Sequence, residues 1–221
     1  MTAKFDILQY LSQDVRILSN RCDLLRPDIL MVYPARLSPG KRFDKVVAFA
    51  AAIKRSLGYS IKVVFCDFPS SDIHPEIYKG MLIKLGRALN LHDDDIIFTS
   101  DLGYPAGFPR TGVLDLFVLS NLFFCPSFSE SFGLTVLEAA SRGNFLVLNE
   151  KVPALQELGN QLNAYFMRWD ARGFDADTRE VYYPSEQDYL EEHVLRVIDL
   201  MWNNSLISAK KTVRQLSLEL K

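Results

Sequence analysis

The most regular feature of the chain is an alternation of short apolar runs with longer helical patterns. The runs are rich in β-branched and aromatic residues and contain few polar interruptions, which is typical of parallel strands buried on both faces of a sheet. They predict strands at Ile29–Ala35, Ile61–Phe65, Ile96–Ser100, Leu122–Cys125, Phe145–Leu148 and Ala164–Trp169.

The segments between these runs carry apolar residues at helical spacing. In Arg42–Leu57 the apolar residues form one stripe of a helix, and Gly58 ends it. Pro75–Leu91 carries a second stripe with the same period. Strands and helices that alternate in this way predict an α/β fold with a doubly wound, mostly parallel, Rossmann-like sheet and right-handed crossovers.

The pattern divides the chain into three parts. Residues 1–28 form a helical lead-in, residues 29–205 form the Rossmann-like domain, and residues 206–221 form a C-terminal helix. Within the lead-in, residues 5–25 are amphipathic. We interpret that apolar face as the end of an element that continues into another domain.

Two further segments do not follow the strand and helix pattern. Residues 103–112 are a Gly/Pro-rich loop between the third strand and the next helix. Residues 170–184 are polar and irregular, and a helix with a capping sequence at Ser185 follows them. The basic pair Lys210-Lys211 is interpreted as a solvated helix face.

The composition is that of an ordinary globular protein, with 48% apolar residues, 24% charged residues and a net charge of -2. Without a basic field, the sequence does not support a nucleic-acid partner. No apolar stretch reaches the roughly 20 residues of a transmembrane segment, which leaves only peripheral membrane contact open. The three cysteines are widely spaced, and Cys66 and Cys125 end apolar runs, so we expect reduced thiols and a cytoplasmic protein.

The most informative polar residues follow the fourth predicted strand. Residues 126–143 read PSFSESFGLTVLEAASRG, with seven residues between Glu130 and Glu138. Gly133 permits a close approach of the backbone to a ligand, and a helix at Leu134–Ser141 would direct free amides at the strand ends. Such a site suits a phosphate, and Glu138 could accept hydrogen bonds from vicinal hydroxyls such as those of a ribose.

This segment resembles the E-x7-E signature of the family 4 (group 1) retaining glycosyltransferases, which have the GT-B fold. The family's usual form is P-S-x-x-E-G-F-G-L-x-x-L-E-A-x-A-x-G. The chain matches it at Pro126, Ser127, Glu130, Phe132, Gly133, Leu134, Leu137, Glu138, Ala139 and Gly143. It departs at Ser131, which stands where the family has glycine. A positive φ would strain Ser131, and any other φ would allow its hydroxyl to contact the sugar.

A second resemblance follows the first predicted strand, in the sequence Tyr33-Pro-Ala-Arg36-Leu-Ser-Pro-Gly-Lys41. It is similar to the family's strand–G-R-L–x–x–x–K-G element, in which an arginine and a lysine bind the diphosphate. Arg36 and Lys41 stand at those positions, where fixed cations would neutralise charge on the departing nucleotide. Arg42 replaces the glycine that usually follows the lysine, which we treat as a minor departure.

The same loop argues against a dinucleotide-binding protein. A G-x-G-x-x-G sequence is expected at this point in such a protein, and the chain contains neither that motif nor a G-x-x-x-x-G-K-[ST] loop. The three histidines show no ligand spacing with each other or with the cysteines, so neither a metal nor another cofactor is expected.

The resemblance implies transfer of a glycosyl group from a nucleoside-diphosphate sugar, with retention at the anomeric carbon. It assigns catalytic roles to Arg36 and Lys41 at the diphosphate and to Glu130 at the sugar. Glu138 would bind the ribose. The other residues assigned to the donor are Gly133, Leu134 and Thr135 at the phosphate, Ser131 near the sugar, and Leu102, after the third strand, at the base.

The resemblance covers residues 29–205 and corresponds to the family's C-terminal, donor-binding domain. The implied partner is an N-terminal acceptor-binding domain that this chain lacks, so we expect the chain alone to be inactive. Two other functions remain open at this stage. One is a non-catalytic nucleotide-sugar-binding or interaction module, and the other is a nucleotide-sugar epimerase of the same fold.

Overall fold

The computed structural model describes residues 6–169 and 185–219, so the predicted polar segment 170–184 and the end of the predicted C-terminal helix lie outside the described residues. The strands are β1 (Ile29–Arg36), β2 (Ile61–Phe68), β3 (Ile96–Phe98), β4 (Leu122–Cys125), β5 (Phe145–Asn149) and β6 (Tyr165–Met167). The α-helices are α1 (Gln13–Cys22), α2 (Phe43–Leu57), α3 (Pro75–Ala88), α4 (Arg110–Leu119), α5 (Leu134–Ser141), α6 (Pro153–Leu162), α7 (Glu186–Trp202) and α8 (Ser205–Leu218).

These strands form one parallel sheet in the order β3-β2-β1-β4-β5-β6. β1 pairs with β2 along its whole length, with Ile29 opposite Ile61 at one end and Arg36 opposite Phe68 at the other. On its other side, β1 pairs with β4. The doubly wound, parallel α/β fold predicted from the apolar runs is therefore confirmed.

Helices cover both faces of this sheet. Phe49 of α2 stacks on Phe124 of β4 with 4.4 Å between ring centroids, and Phe117 of α4 meets Phe123 edge-on at 5.6 Å. Because successive strand residues point to opposite faces, α2 and α4 lie on opposite sides of the sheet. α3 and α7 pack on α2, whereas α1, α5 and α8 pack on α4.

The third predicted strand is shorter than its apolar run. β3 ends at Phe98, and Thr99–Leu102 turns into a 3-10 helix. The buried carboxylate of Asp67 accepts a hydrogen bond from the Ser100 amide at 3.1 Å, which favours the turn over a continued ladder. The carboxyl end of this strand is therefore occupied by a compact turn.

The lead-in and the C-terminal helix pack into the same hydrophobic core as the sheet. Val15 and Leu18 of α1 and Ile207 of α8 are buried there. The Ile7 amide also donates to Ser217 Oγ at 2.9 Å, so the two ends of the described chain are in contact. This packing accounts for the apolar face of residues 6–25 within the domain itself.

The basic pair on α8 is not the solvated face that the sequence suggested. Lys210 donates to the carbonyl oxygens of Phe117 at 2.9 Å and Arg142 at 2.8 Å, and Lys211 pairs with Asp28 at 2.6 Å. Burial, with a smaller contribution from Arg214, lowers the pKa of Lys210 to about 7. Lys210 thus links α8 to the C-terminal ends of α4 and α5.

No helix in residues 6–169 and 185–219 is both long enough and apolar enough to cross a membrane.

Candidate functional site

The centre of the sheet contains the point where the chain reverses its direction of winding. β1 and β4 are neighbours, but β1 leads into α2 on one face and β4 leads into α5 on the face covered by α4. The loops after two such strands separate and leave a crevice at their carboxyl ends, where ligands bind in open α/β sheets. Here the crevice lies between loop 37–42 and loop 126–133.

A pocket of about 330 Å³ occupies this crevice. Its lining residues are Tyr33, Pro34, Ala35, Arg36, Lys41, Phe68, Glu130 and Thr135. The structure thus brings together the three residues to which the sequence assigns catalytic roles, together with one residue from the start of α5. The pocket combines two cations, one carboxylate and a helix N-terminus.

Lys41 and Glu130 form an ion pair inside the pocket. Lys41 Nζ lies 2.6 Å from Glu130 Oε1, and it also donates to the carbonyl of Ser129 at 3.3 Å. The two side chains are only 22% and 19% exposed, so water screens the pair incompletely. The backbone of Lys41 is fixed as well, because the hydroxyl of buried Tyr33 donates to its carbonyl at 2.7 Å.

Arg36 is the more available cation of the two. It ends β1 with an exposed side chain and forms no ion pair with any residue that the structure describes. Asp72 lies near enough for Arg36 to contribute to lowering the pKa of that carboxyl, although hydrogen bonds from Ser38 and Ser70 contribute more. Arg36 can therefore turn toward an anion without breaking an internal ion pair.

The N-terminus of α5 supplies the helix amides that the sequence predicts. Gly133 begins the helix with φ of 78°, and no side chain caps the helix there. The left-handed backbone favours glycine here, and a Cβ would approach Leu158 Cδ1 to 2.9 Å, so the Leu158 side chain would have to shift to admit it. The amides of Leu134 and Thr135 begin the helix and have no intrahelical acceptor, which suits them to an anion.

Glu138 lies one turn further into α5 and outside the pocket lining. It pairs with Arg110 at the start of α4, and both hydrogen bonds, at 3.2 and 2.9 Å, go to the same oxygen, Oε1. The sequence reasoning missed Arg110. The signal that could have identified it is its place at a helix start after the Gly/Pro-rich loop, because such starts gather at the carboxyl edge of the sheet.

Ser131 and Leu102 do not line the pocket. Ser131 is exposed and is not among the non-glycine residues with positive φ in the described chain, so its replacement of the family's glycine causes no left-handed strain. Leu102 ends the 3-10 turn after β3. Lys79, a largely buried residue of α3, pairs with Asp101 and so holds that turn.

Arg42 corrects the view that Lys41-Arg42 is a minor departure from the family pattern. Its φ is 54°, a left-handed conformation that glycine adopts freely and that costs other residues about 1–3 kcal/mol. The side chain compensates by pairing with both oxygens of Asp44 at 3.0 Å and lying over the ring of Phe128. The residue at this position is therefore under strong local constraint.

Burial also determines the protonation state of the Cys125 thiol, near the pocket. Cys125 ends β4, and burial, reinforced by the nearby charge of Glu130, raises its pKa to about 12. The thiol thus stays protonated near neutral pH and is a poor nucleophile. No group of three or more His, Cys, Asp or Glu side chains suited to a metal occurs in the described part of the chain.

Comparison with known proteins identifies the class. The family described as "Glycosyl transferases group 1" matches residues 20–166, which is more than half of the chain. The chain belongs to the group 1 glycosyltransferases. A search of curated protein sequences found no match.

Solved structures show the same fold at low sequence identity. The C-terminal domain of the group 1 family protein LpcC from Francisella tularensis is 14% identical with a TM-score of 0.56, over 98% of this chain and 95% of that one. WaaG, a glycosyltransferase involved in lipopolysaccharide biosynthesis, is 14% identical with a TM-score of 0.57, over 96% and 48%. An E. coli trehalose-6-phosphate structure bound with UDP-2-fluoro glucose is 14% identical with a TM-score of 0.52, over 91% and 47%.

The chain thus spans about half the length of the last two proteins and almost the whole of the isolated C-terminal domain.

Proposed function

We propose that the pocket between β1 and β4 binds the diphosphate of a nucleoside-diphosphate sugar, and that the chain is the donor-binding domain of a retaining glycosyltransferase. One observation carries the proposal. Arg36, Lys41 and the uncapped N-terminus of α5 converge on a single pocket at the reversal point of the sheet. Membership of the group 1 glycosyltransferases gives this anion site its chemical context.

The proposed reaction leaves a nucleoside diphosphate as the departing group. Negative charge builds up on that group as the bond to the anomeric carbon breaks, and fixed cations and helix amides stabilise it without reorganisation. Arg36 and Lys41 would supply the cations, and the Leu134 and Thr135 amides would supply the dipoles. Retention of configuration at the anomeric carbon is expected from the resemblance to the retaining members of this family.

The two glutamates would bind different parts of the donor. Because both Arg110 hydrogen bonds go to Glu138 Oε1, the other oxygen, Oε2, remains available to accept from a ribose hydroxyl. Glu130 already contacts Lys41, and a sugar attached to the diphosphate would lie next to it. The two glutamates would not act as the pair of catalytic carboxylates found in glycosidases, because Glu138 would bind the ribose of the nucleotide.

The donor site accounts for only one side of a transfer reaction. A glycosyl transfer needs the acceptor hydroxyl and the anomeric carbon to be held together in a cleft that excludes most water. We propose that an N-terminal acceptor-binding domain supplies that second wall, as the 48% coverage of WaaG suggests. Transfer by this chain would then need the second domain, fused or added in trans.

Calorimetric titration of the chain with UDP, GDP and ADP tests the donor site. We expect binding of at least one of them with a dissociation constant of about 10–1000 μM, because this titration would lack the second wall of the cleft that we propose. No heat from any of the three at millimolar concentration would refute the site. Turnover of a nucleotide sugar without any acceptor would instead point to an epimerase or a hydrolase.

A further inference from the structure

The two loops that border the pocket are joined by contacts between consecutive residues. The Phe128 amide donates to the carbonyl of Gly40 at 3.0 Å. The next residue of the first loop, Lys41, reaches across to Ser129 and Glu130. Loops 37–42 and 126–133 are therefore held together by backbone and side-chain contacts, and Arg42 contributes the next contact in this series.

The Arg42 side chain is fixed on two sides. Its guanidinium carbon lies 4.3 Å from the centroid of the Phe128 ring, and its Nε and Nη2 donate to Asp44 at 3.0 Å each. Arg42 is only 9% exposed, so its cation–π contact is largely shielded from water. A planar guanidinium that has a carboxylate on one edge and a ring against its face loses its rotational freedom.

The backbone of Arg42 makes this arrangement unusual. The residue is left-handed, with φ of 54°, immediately before α2 begins. Glycine would adopt this conformation without strain, but it would have no side chain to reach Phe128. The contacts with Phe128 and Asp44 therefore offset part of the backbone strain at Arg42.

We propose that Arg42 is a positioning residue that clamps loop 37–42 to loop 126–133. The clamp holds Lys41, on the first loop, and the N-terminus of α5, at the end of the second loop, at the separation that receives the diphosphate. The choice of ligand rests on the proposed function. The clamp itself rests only on the contacts among Gly40, Arg42, Asp44 and Phe128.

Amide hydrogen exchange in the Arg42→Gly variant tests the clamp without any ligand. We expect exchange at the Phe128 amide to accelerate by about tenfold or more, because that amide bonds across the two loops. Exchange at Val32 in the buried strand β1 should not change. The melting temperature should fall little, since glycine relieves the left-handed backbone.

Asn163→Gly is the matched control, because Asn163 is also left-handed, with φ of 53°, but is exposed at the end of α6. It should leave Phe128 exchange unchanged. If Arg42→Gly also leaves it unchanged, the clamp is refuted, whether or not nucleotides bind. Faster exchange at Val32 and Phe128 alike would show a general structural role and would also refute the proposal.

Titration with inorganic pyrophosphate tests whether the clamp serves the pocket. Arg42→Gly should weaken pyrophosphate by roughly 3- to 30-fold, the range expected when a shielded cation–π contact no longer orders the site. Arg42→Lys, which keeps the cation but loses the fork to Asp44, should recover part of that loss. Equal affinity of Arg42→Gly and wild type would overturn the positioning role.

The two proposals fail in different ways. Wild type that binds no pyrophosphate, UDP, GDP or ADP, while Arg42→Gly still accelerates Phe128 exchange, would refute the donor site and support the clamp. Wild type that binds these ligands, while Arg42→Gly binds them equally well, would refute the role of Arg42 and support the donor site.

Discussion

Lys41 Nζ lies 2.6 Å from Glu130 Oε1, so the lysine proposed to hold the diphosphate is paired with the glutamate proposed to contact the sugar. The two residues are 89 positions apart in the sequence. A phosphate that enters the pocket therefore meets a cation whose charge is already partly neutralised.

Glu130→Gln should strengthen the binding of pyrophosphate to the chain. The substitution keeps the shape of the side chain but removes the charge that competes for Lys41, so we expect a gain of about 2- to 10-fold. Calorimetry gives the two dissociation constants. Glu157→Gln on the exposed face of α6 is the control for a simple change in net charge. If Glu130→Gln weakens pyrophosphate, the glutamate orders the lysine rather than competing for it.

Glu138→Ala should weaken nucleoside diphosphates while leaving pyrophosphate nearly unaffected. The proposed partner of Glu138 is the ribose, and losing hydrogen bonds to a charged group costs on the order of 2 kcal/mol. Titrations of UDP, GDP and ADP against pyrophosphate measure the difference. Arg110→Gln should cause a smaller loss in the same direction, since Arg110 is 79% exposed. Equal losses for pyrophosphate and nucleotides would show that Glu138 supports the fold instead.

The loss of binding affinity caused by Arg36→Ala should increase with the number of phosphates in the ligand. Its cation acts on the diphosphate, so the penalty should be small for a nucleoside and largest for the diphosphate. Because Arg36 is exposed, added salt should reduce the wild-type affinity for the same ligands. Binding of uridine, UMP and UDP at two salt concentrations measures both effects. A penalty that is the same for uridine and UDP would contradict the role of Arg36.

Gly133→Ala should destabilise the chain and weaken pyrophosphate together. Alanine would have to adopt the left-handed backbone of Gly133, with φ of 78°, and its Cβ would approach Leu158 Cδ1 to 2.9 Å. We therefore expect the unfolding free energy to fall by about 1–3 kcal/mol. The first amides of α5 would move with the backbone. Gly80→Ala is the control, because it lies within α3 with nothing within 4 Å of the new Cβ, and it should be neutral or stabilising. Unchanged stability of Gly133→Ala would contradict the local geometry.

Lys210→Met should change how stability depends on pH. The pKa of Lys210 is lowered from 10.5 to about 7, so the folded protein releases a proton that the unfolded chain keeps. Between these two values the unfolded state binds more protons, and wild type should therefore gain stability relative to Lys210→Met as pH rises from 7 to 10. Below pH 7 the difference should level off. Denaturant unfolding at several pH values measures the difference in unfolding free energy between wild type and Lys210→Met. A difference that does not change with pH would mean that Lys210 keeps its proton in the folded protein.

Much of the fold could be predicted from the sequence because its signals are local. The apolar run placed β4 at Leu122–Cys125, and the position after Gly133 placed α5 at Leu134–Ser141, with the bounds that the structure has. The position of Gly133 before α5 followed from residues adjacent in the chain. The roles of Ser131 and Leu102 at the donor and the division at residues 29 and 206 remain predictions, because no contact in the structure tests them.

Tertiary structure alone decided the rest, because it depends on which distant segments become neighbours. The placement of β1 beside β4 brings Lys41 to Glu130, and the packing of α4 on α5 brings Arg110 to Glu138. Neither pair leaves a periodic signal, because a charged residue gives the same sequence pattern whether it faces water or an oppositely charged partner. The sequence by itself determined the order of the strands and the glycine that begins α5, whereas the end of β3 depended on the hydrogen bond from the Ser100 amide to Asp67. The pairing of their charges came from three-dimensional proximity, which side-chain periodicity does not encode.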